Sequence, residues 1–189
     1  MKPYVLILAG GKSSRMNGNN KAYLPMQEST FLAHLVEEFS KEYPVLISTN
    51  VEVSYEEFQV RKIIDEQVSI GPMSGILSAF HQSEAEVIFV TACDMPWMNF
   101  SVVSRMSELL EDYDGVVLKE GTALHPLGAL YCKNIVAQLE DGLYNKEYSL
   151  ARCLVKSNVR YVTLEELGCT SQCYENVNTQ QDYQRLFDN

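Results

Sequence analysis

Long apolar runs are missing from this chain. No window approaches the ~18 apolar residues of a membrane span, and the N-terminal run from Tyr4 to Ala9 is short and has no small-residue cleavage site after it. No membrane segment or signal peptide is expected, and a cytoplasmic location is. Cations are also scarce. With 15 lysines and arginines against 25 acids, the net charge is −10, which argues against a nucleic-acid partner because a phosphate backbone calls for a basic face. Cysteines are few and unpaired in spacing. Cys93, Cys132, Cys153, Cys169 and Cys173 form an odd set without C-x-x-C pairs. Cys169-x-x-x-Cys173 leaves open a metal contact or oxidation, and the plainer reading is buried or incidental thiols in a reducing compartment. Internal repeats, low-complexity tracts and linkers are absent too, so residues 1–189 read as one domain, large enough to bury a full core.

Against this acidic background one stretch stands apart. Tyr4-Val5-Leu6-Ile7-Leu8-Ala9 is unbroken and apolar, and Gly10-Gly11 closes it. A short run of that kind reads as a strand buried on both faces of a parallel sheet. The following ten residues carry Lys12, Arg15 and Lys21 with no acid among them. A loop leaving the carboxyl end of a central strand sits where open α/β sheets bind ligands. Glycine N–H groups beside three cations suit a polyphosphate. Two familiar phosphate loops are excluded. A P-loop needs a glycine where Leu6 stands, and a dinucleotide fingerprint needs G-x-G-x-x-G spacing, which the adjacent Gly10 and Gly11 do not supply.

The rest of the chain alternates β and α signals. Ser29-Thr30 marks the start of a helix over 31–39, whose Leu32, Leu35, Val36 and Phe39 form one apolar stripe. A strand is expected at 45–49. Ser54-x-x-Glu57 has capping-box spacing for a short helix before a strand at 60–64. Asp65 ends that strand, and Gly71-Pro72 opens a helix with Ile76, Leu77 and Phe80 on its buried side. Strand 87–92 runs into Cys93-Asp94-Met95-Pro96. A helix that Ser101 is positioned to cap follows, then strands at 115–118 and 125–131, helices at 134–139 and 149–155, a strand at 160–163, and a terminal helix capped by Thr179. This order predicts an α/β fold in three layers, with a mostly parallel central sheet flanked by helices.

Two acids fall at strand ends. Asp65 is placed for a ribose or base-edge contact, its plainer reading being a turn aspartate. Asp94 faces the cationic loop if the sheet is doubly wound, and a carboxylate there suits Mg²⁺ held against nucleotide phosphates, since Mg²⁺ takes few protein oxygens and keeps its waters. The plainer reading of Asp94 is a helix cap. His125 has no evident acid–base partner in the sequence and reads as structural or substrate-lining.

Leu8-Ala9-Gly10-Gly11-x-x-x-Arg15-Met16, Lys21 and Leu24-Pro25 resemble the signature of nucleotidyltransferases of the molybdenum-cofactor guanylyltransferase type. Asp94 in its Cys-Asp-Met-Pro corner, His125-Pro126-Leu127 and Asn176-Val177-Asn178-Thr179 extend the resemblance along nearly the whole chain. It implies a Rossmann-like nucleotidyltransferase fold that joins GMP from GTP to the terminal phosphate of molybdenum-bound molybdopterin and releases pyrophosphate. By similarity, Leu8, Ala9, Gly10 and Gly11 meet the nucleotide, Asp65 contacts the nucleoside, and Lys21 reaches the phosphates. Asp94 binds Mg²⁺, Arg15 and Lys21 neutralise charge, and Asn176 and Asn178 lie toward the pterin. The resemblance leaves room for proteins that deliver the pterin or receive the product. Departures are Asn20 where the family has aspartate, Asn17 for a glycine, Ser48 for a nucleotide-touching asparagine and Gln180 for a proline. Other readings stay open: CTP instead of GTP, a sugar phosphate as acceptor, or a nucleotide-binding regulator without catalysis.

Overall fold

The computed structural model describes residues 2–10, 20–26, 28–50, 55–66 and 70–185. The opening run forms β1 (Tyr4–Leu8) at the middle of the sheet. A 3₁₀ turn at Lys21–Tyr23 and a small ladder of β2 (Pro25–Met26) with β3 (Ser29–Thr30) lead into α1 (Phe31–Ser40). Then come β4 (Val45–Thr49), β5 (Arg61–Ile64), α2 (Pro72–Gln82), β6 (Val87–Ala92) and α3 (Phe100–Leu109). The second half carries β7 (Gly115–Glu120), β8 (Ala123–Cys132), α4 (Val136–Tyr144), α5 (Leu150–Leu154), β9 (Val159–Val162), α6 (Leu164–Leu167) and α7 (Gln180–Arg185).

Seven strands join in the order β5-β4-β1-β6-β8-β7-β9, and β8 alone among them runs antiparallel to its neighbours. Side chains alternate between faces, as a strand requires. Val5, Ile7, Val45, Ile47 and Phe89 pack with Leu32, Leu35 and Phe39 of α1 and with Val102 and Met106 of α3. Leu6, Leu46, Ile88 and Val90 pack with Ile76 and Phe80 of α2, Leu139 of α4 and Leu154 of α5. Burial of the central strands on both sides explains why they read as continuous apolar runs. The expected three-layer α/β fold is therefore the fold observed.

Chain direction makes β1 the switch point. From β1 the chain passes over one face through α1 to β4 and β5. It then returns over the other face through α2 to β6, on the opposite side of β1. Open sheets leave a crevice at such a reversal, outside the carboxyl ends of the strands. Register aligns those ends, with Leu8 beside both Ser48 and Ala92, and Thr49 beside Ile64.

Local signals were displaced in a few places. Asn99, not Ser101, caps α3, its side chain accepting from the N–H groups of Ser101 and Val102. Thr30 alone caps α1, accepting from Ala33 N–H, while Ser29 pairs in β3. The described residues 55–60 form a turn and no helix, and Ser54 lies outside the described residues. α6 is an addition. Its Thr163 and Glu166 form the reciprocal capping box, and Gly168 closes it at φ +64°. Thr163-x-x-Glu166 was the sequence signal for it.

Candidate active site

Gly10 sits where β1 runs out. A Cβ on it would lie 3.2 Å from Asp65 Oδ2 and 3.3 Å from the backbone nitrogen of Asn50. Absence of a side chain lets the ends of β4 and β5 close against β1 there. Asp65 is half-buried, and its Oδ1 accepts a 2.6 Å hydrogen bond from Ser48 Oγ. Burial raises its carboxyl above the ordinary 3.8, with the Ser48 hydroxyl pulling the other way. Ser48 itself is buried, 1% exposed. Its hydroxyl is committed to Asp65, so the serine acts here as a support behind the acid.

Part of the backbone of β1 is already engaged. Ala9 N–H donates to Ser48 O at 2.9 Å, and Leu8 O accepts from Cys93 N–H at 3.1 Å. Ala9 O accepts from the Tyr55 hydroxyl at 3.0 Å. Gly10 O lies at the reach of Asn50 Nδ2, 3.4 Å.

Beside this edge, Lys21 Nζ lies 2.9 Å from Asp94 Oδ2 and donates to Asn178 Oδ1 at 2.7 Å. Three elements distant in sequence meet here. Asn20 starts the 3₁₀ turn carrying Lys21, its Oδ1 accepting from Ala22 N–H. Asp94 follows β6 in a corner stiffened by Pro96. The segment carrying Asn178 is tied to that corner by Val177 N–H donating to Asp94 O at 2.8 Å. The Lys21 and Asp94 side chains are 16% and 19% exposed, so the pair is reachable from solvent yet screened less than a surface pair. An ammonium between a carboxylate and an amide oxygen is a point charge ready to be shared with a phosphate.

The structure thus brings Gly10, Asp65, Lys21, Asp94 and Asn178 to one rim of the sheet. Gly11 and Arg15 lie outside the described residues. Asn176 is exposed, one residue before the Val177 tie. His125, which had no partner by sequence, has one in space: its Nε2 lies 2.9 Å from Glu120 Oε2, and its ring meets Tyr174 edge-on. Sequence reasoning missed Tyr55 and the support from Ser48, because neither belongs to a spaced motif. The five cysteines carry no disulfide. Cys93, next to Asp94, is buried, and that burial pushes its thiol up to about 12, which makes it inert as a nucleophile. Among the described residues no group of three or more His, Cys, Asp or Glu side chains is placed to hold a metal. Around Lys21 the donors offered are one carboxylate, Asp94, and the amide oxygen of Asn178. That set fits Mg²⁺, which relies on one or two carboxylates, substrate phosphates and water, and it does not fit the closed shell of structural zinc.

Known proteins resemble this chain along nearly its whole length. A probable molybdenum cofactor guanylyltransferase of Clostridium perfringens is 33% identical, with 98% of this chain and 96% of that protein covered. One from Carboxydothermus hydrogenoformans is also 33% identical, covering 96% and 93%. In structure, molybdopterin-guanine dinucleotide biosynthesis protein A of Archaeoglobus fulgidus superposes with a TM-score of 0.82 at 22% identity, over 96% of this chain and 95% of that one. The 2-C-methyl-D-erythritol 4-phosphate cytidylyltransferase of Thermus thermophilus shares the fold, with a TM-score of 0.70 at 12% identity over 96% and 95%. Residues 5–161 match the MobA-like NTP transferase domain, and the chain belongs to that family.

Proposed function

We propose that this nucleotidyltransferase moves GMP from GTP to the terminal phosphate of molybdenum-bound molybdopterin, giving the guanine dinucleotide form of the cofactor and pyrophosphate. The observation that carries the reading is the meeting of Lys21, Asp94 and Asn178 at the switch point of the sheet, in a chain 33% identical over nearly its full length to proteins named for this reaction.

A pterin phosphate oxygen attacks the α-phosphorus of GTP, forming the new P–O bond. The bond from that phosphorus to the bridging oxygen breaks, and the electron pair leaves with pyrophosphate. The attacking phosphate is largely ionised near neutrality, its second pKa being about 6, so no general base is needed. What the chain must supply is alignment and cancellation of charge. Lys21 provides the movable cation, handed from Asp94 and Asn178 to the phosphates, and Arg15 is assigned the same work. Asp65 and the end of β1 hold the nucleoside, and Asn176 and Asn178 face the acceptor side. Asp94 would hold Mg²⁺, which when bound supplies further neutralisation of the triphosphate. A cytoplasmic setting belongs to the same proposal.

Pyrophosphate release measured over a panel of GTP, CTP, ATP and UTP, with molybdopterin as acceptor, tests the reading. GTP is expected to lead. A lead for CTP would transfer the proposal to cytidylyl transfer, and nucleotide binding without pyrophosphate release would make the chain a regulator.

A further inference from the structure

Tyr55 has no part in the chemistry just described, yet it touches both halves of the site. Its hydroxyl donates to Ala9 O at 3.0 Å, and Asn20 Nδ2 donates to that hydroxyl at 3.0 Å. Ala9 belongs to the strand end assigned to the base. Asn20 caps the turn that presents Lys21 to the phosphates. The tyrosine is held firmly. It is 1% exposed, and its ring packs against Tyr23 at 5.7 Å and Phe58 at 6.4 Å between centroids. A second tie runs between the same two turns, Tyr23 OH donating to Glu57 Oε1 at 2.7 Å. Tyr55 also adopts φ +48°. Bulky residues rarely enter that region, and they persist there where surrounding contacts over-determine them, which is common beside binding sites.

Asn20 gives the chain of bonds its direction. Its Nδ2 lies 3.0 Å from the tyrosine oxygen and its Oδ1, which also accepts from Ala22 N–H, lies farther off at 3.4 Å, so the amide donates and the tyrosine hydrogen goes to Ala9 O at 3.0 Å. A carboxylate at position 20 has no hydrogen to give and would compete with Ala9 O for the hydroxyl hydrogen.

We propose that Tyr55 is a positioning residue. Through Ala9 and Asn20 it holds the base-facing end of β1 and the Lys21 turn in one register, so that a ligand spanning both is gripped as a unit. This rests on the assignment of the two half-sites to a nucleoside triphosphate. A tie between half-sites matters to a ligand that fills both and little to a ligand that fills one, because joining the halves raises their effective concentration.

Binding of GTP, guanosine and inorganic tripolyphosphate to the full chain, measured by calorimetry, tests this. Tyr55→Phe, which removes both hydrogen bonds of the hydroxyl, is expected to weaken GTP about tenfold, while each fragment changes less than about threefold. Asn20→Ala should act in the same direction, and the double variant should fall short of the product of the two, as partners in one network do. Should Tyr55→Phe unfold at the assay temperature, Asn20→Ala carries the same prediction. An unchanged GTP affinity in Tyr55→Phe, with wild-type binding GTP, overturns the tie alone. Equal losses for all three ligands also overturn it, since they mark a merely structural role. A wild-type chain that binds no nucleotide overturns the tie and the assignment beneath it together.

Discussion

Asp65 shows how much of a site's chemistry depends on neighbours that no motif names. Its position at a strand end was legible, as was that of Asp94, because each directly follows a stretch that reads as a strand. Its protonation behaviour was not, since that is set by burial and by Ser48, 17 residues away. The sign of its effect on stability follows from linkage. Burial raises the folded-state pKa above 3.8, so the folded chain binds the proton more tightly than the unfolded chain does. The stabilisation this gives is complete below the unfolded value and is lost as pH rises through the raised one. Near neutrality the carboxylate therefore carries its desolvation cost. Asp65→Asn should melt higher than wild-type at neutral pH, with the gap closing in acid, and should bind guanosine about tenfold to a hundredfold more weakly. A lower melting temperature at neutral pH would show that the Ser48 bond outweighs desolvation. Lys21→Ala should weaken GTP binding by tenfold or more, on the order of one charge-assisted contact, and guanosine binding far less. Equal losses would show that the lysine serves folding.

Elements were read well where periodicity decided them and less well where a cap or a short turn did. The strands at 4–9, 45–49 and 87–92 and the helix at 31–39 emerged near their observed bounds because the strands are mainly apolar and the helix carries an apolar stripe at helical spacing. Asn99 displaced Ser101 as a cap because the helix begins two residues earlier, at Phe100 and not Val102, and either side chain is chemically suited. Ser54-x-x-Glu57 has helix-cap spacing, yet bonds of Tyr55 to Ala9 O and Asn20, and of Glu57 to Tyr23 of the Lys21 turn, hold the described residues 55–60 as a turn, a tertiary choice invisible to local pattern. α2 packs closely on the sheet at Gly75. A Cβ on Gly75 would stand 2.6 Å from both Leu8 Cδ2 and Ser48 Oγ. Gly75→Ala should cost about 1–3 kcal/mol by overpacking, more than the helix propensity of alanine returns, measured by urea unfolding. Nucleotide affinity should fall with it, because the displaced oxygen is the one that supports Asp65. A more stable variant would contradict that packing.

At the scale of the molecule, alternation of β and α made the layered sheet and its binding rim expected, since crossovers over alternate faces create the crevice. Strand order beyond β6 was not legible: nothing local to 123–132 says that it inserts antiparallel between β6 and β7. Nor does spacing say that residue 178 returns to residue 21. That return depends on the burial of Val177 beside Met26 and Phe31 and on its bond to Asp94 O. The resemblance named candidate residues, and the fold brings Gly10, Asp65, Lys21, Asp94 and Asn178 among them to one rim.

The most direct measurement follows a label on the α-phosphate of GTP, mixed with molybdenum-bound molybdopterin and Mg²⁺, in the wild-type chain and in Asp94→Ala. The account predicts that the wild-type passes the label to the pterin with one pyrophosphate for each transfer. Asp94→Ala should do so slower by on the order of a hundredfold to a thousandfold, the loss typical of removing one electrostatic group from a transition state, while still binding part of its GTP. Transfer by Asp94→Ala at the wild-type rate, or label that never leaves GTP in the wild-type, would contradict it.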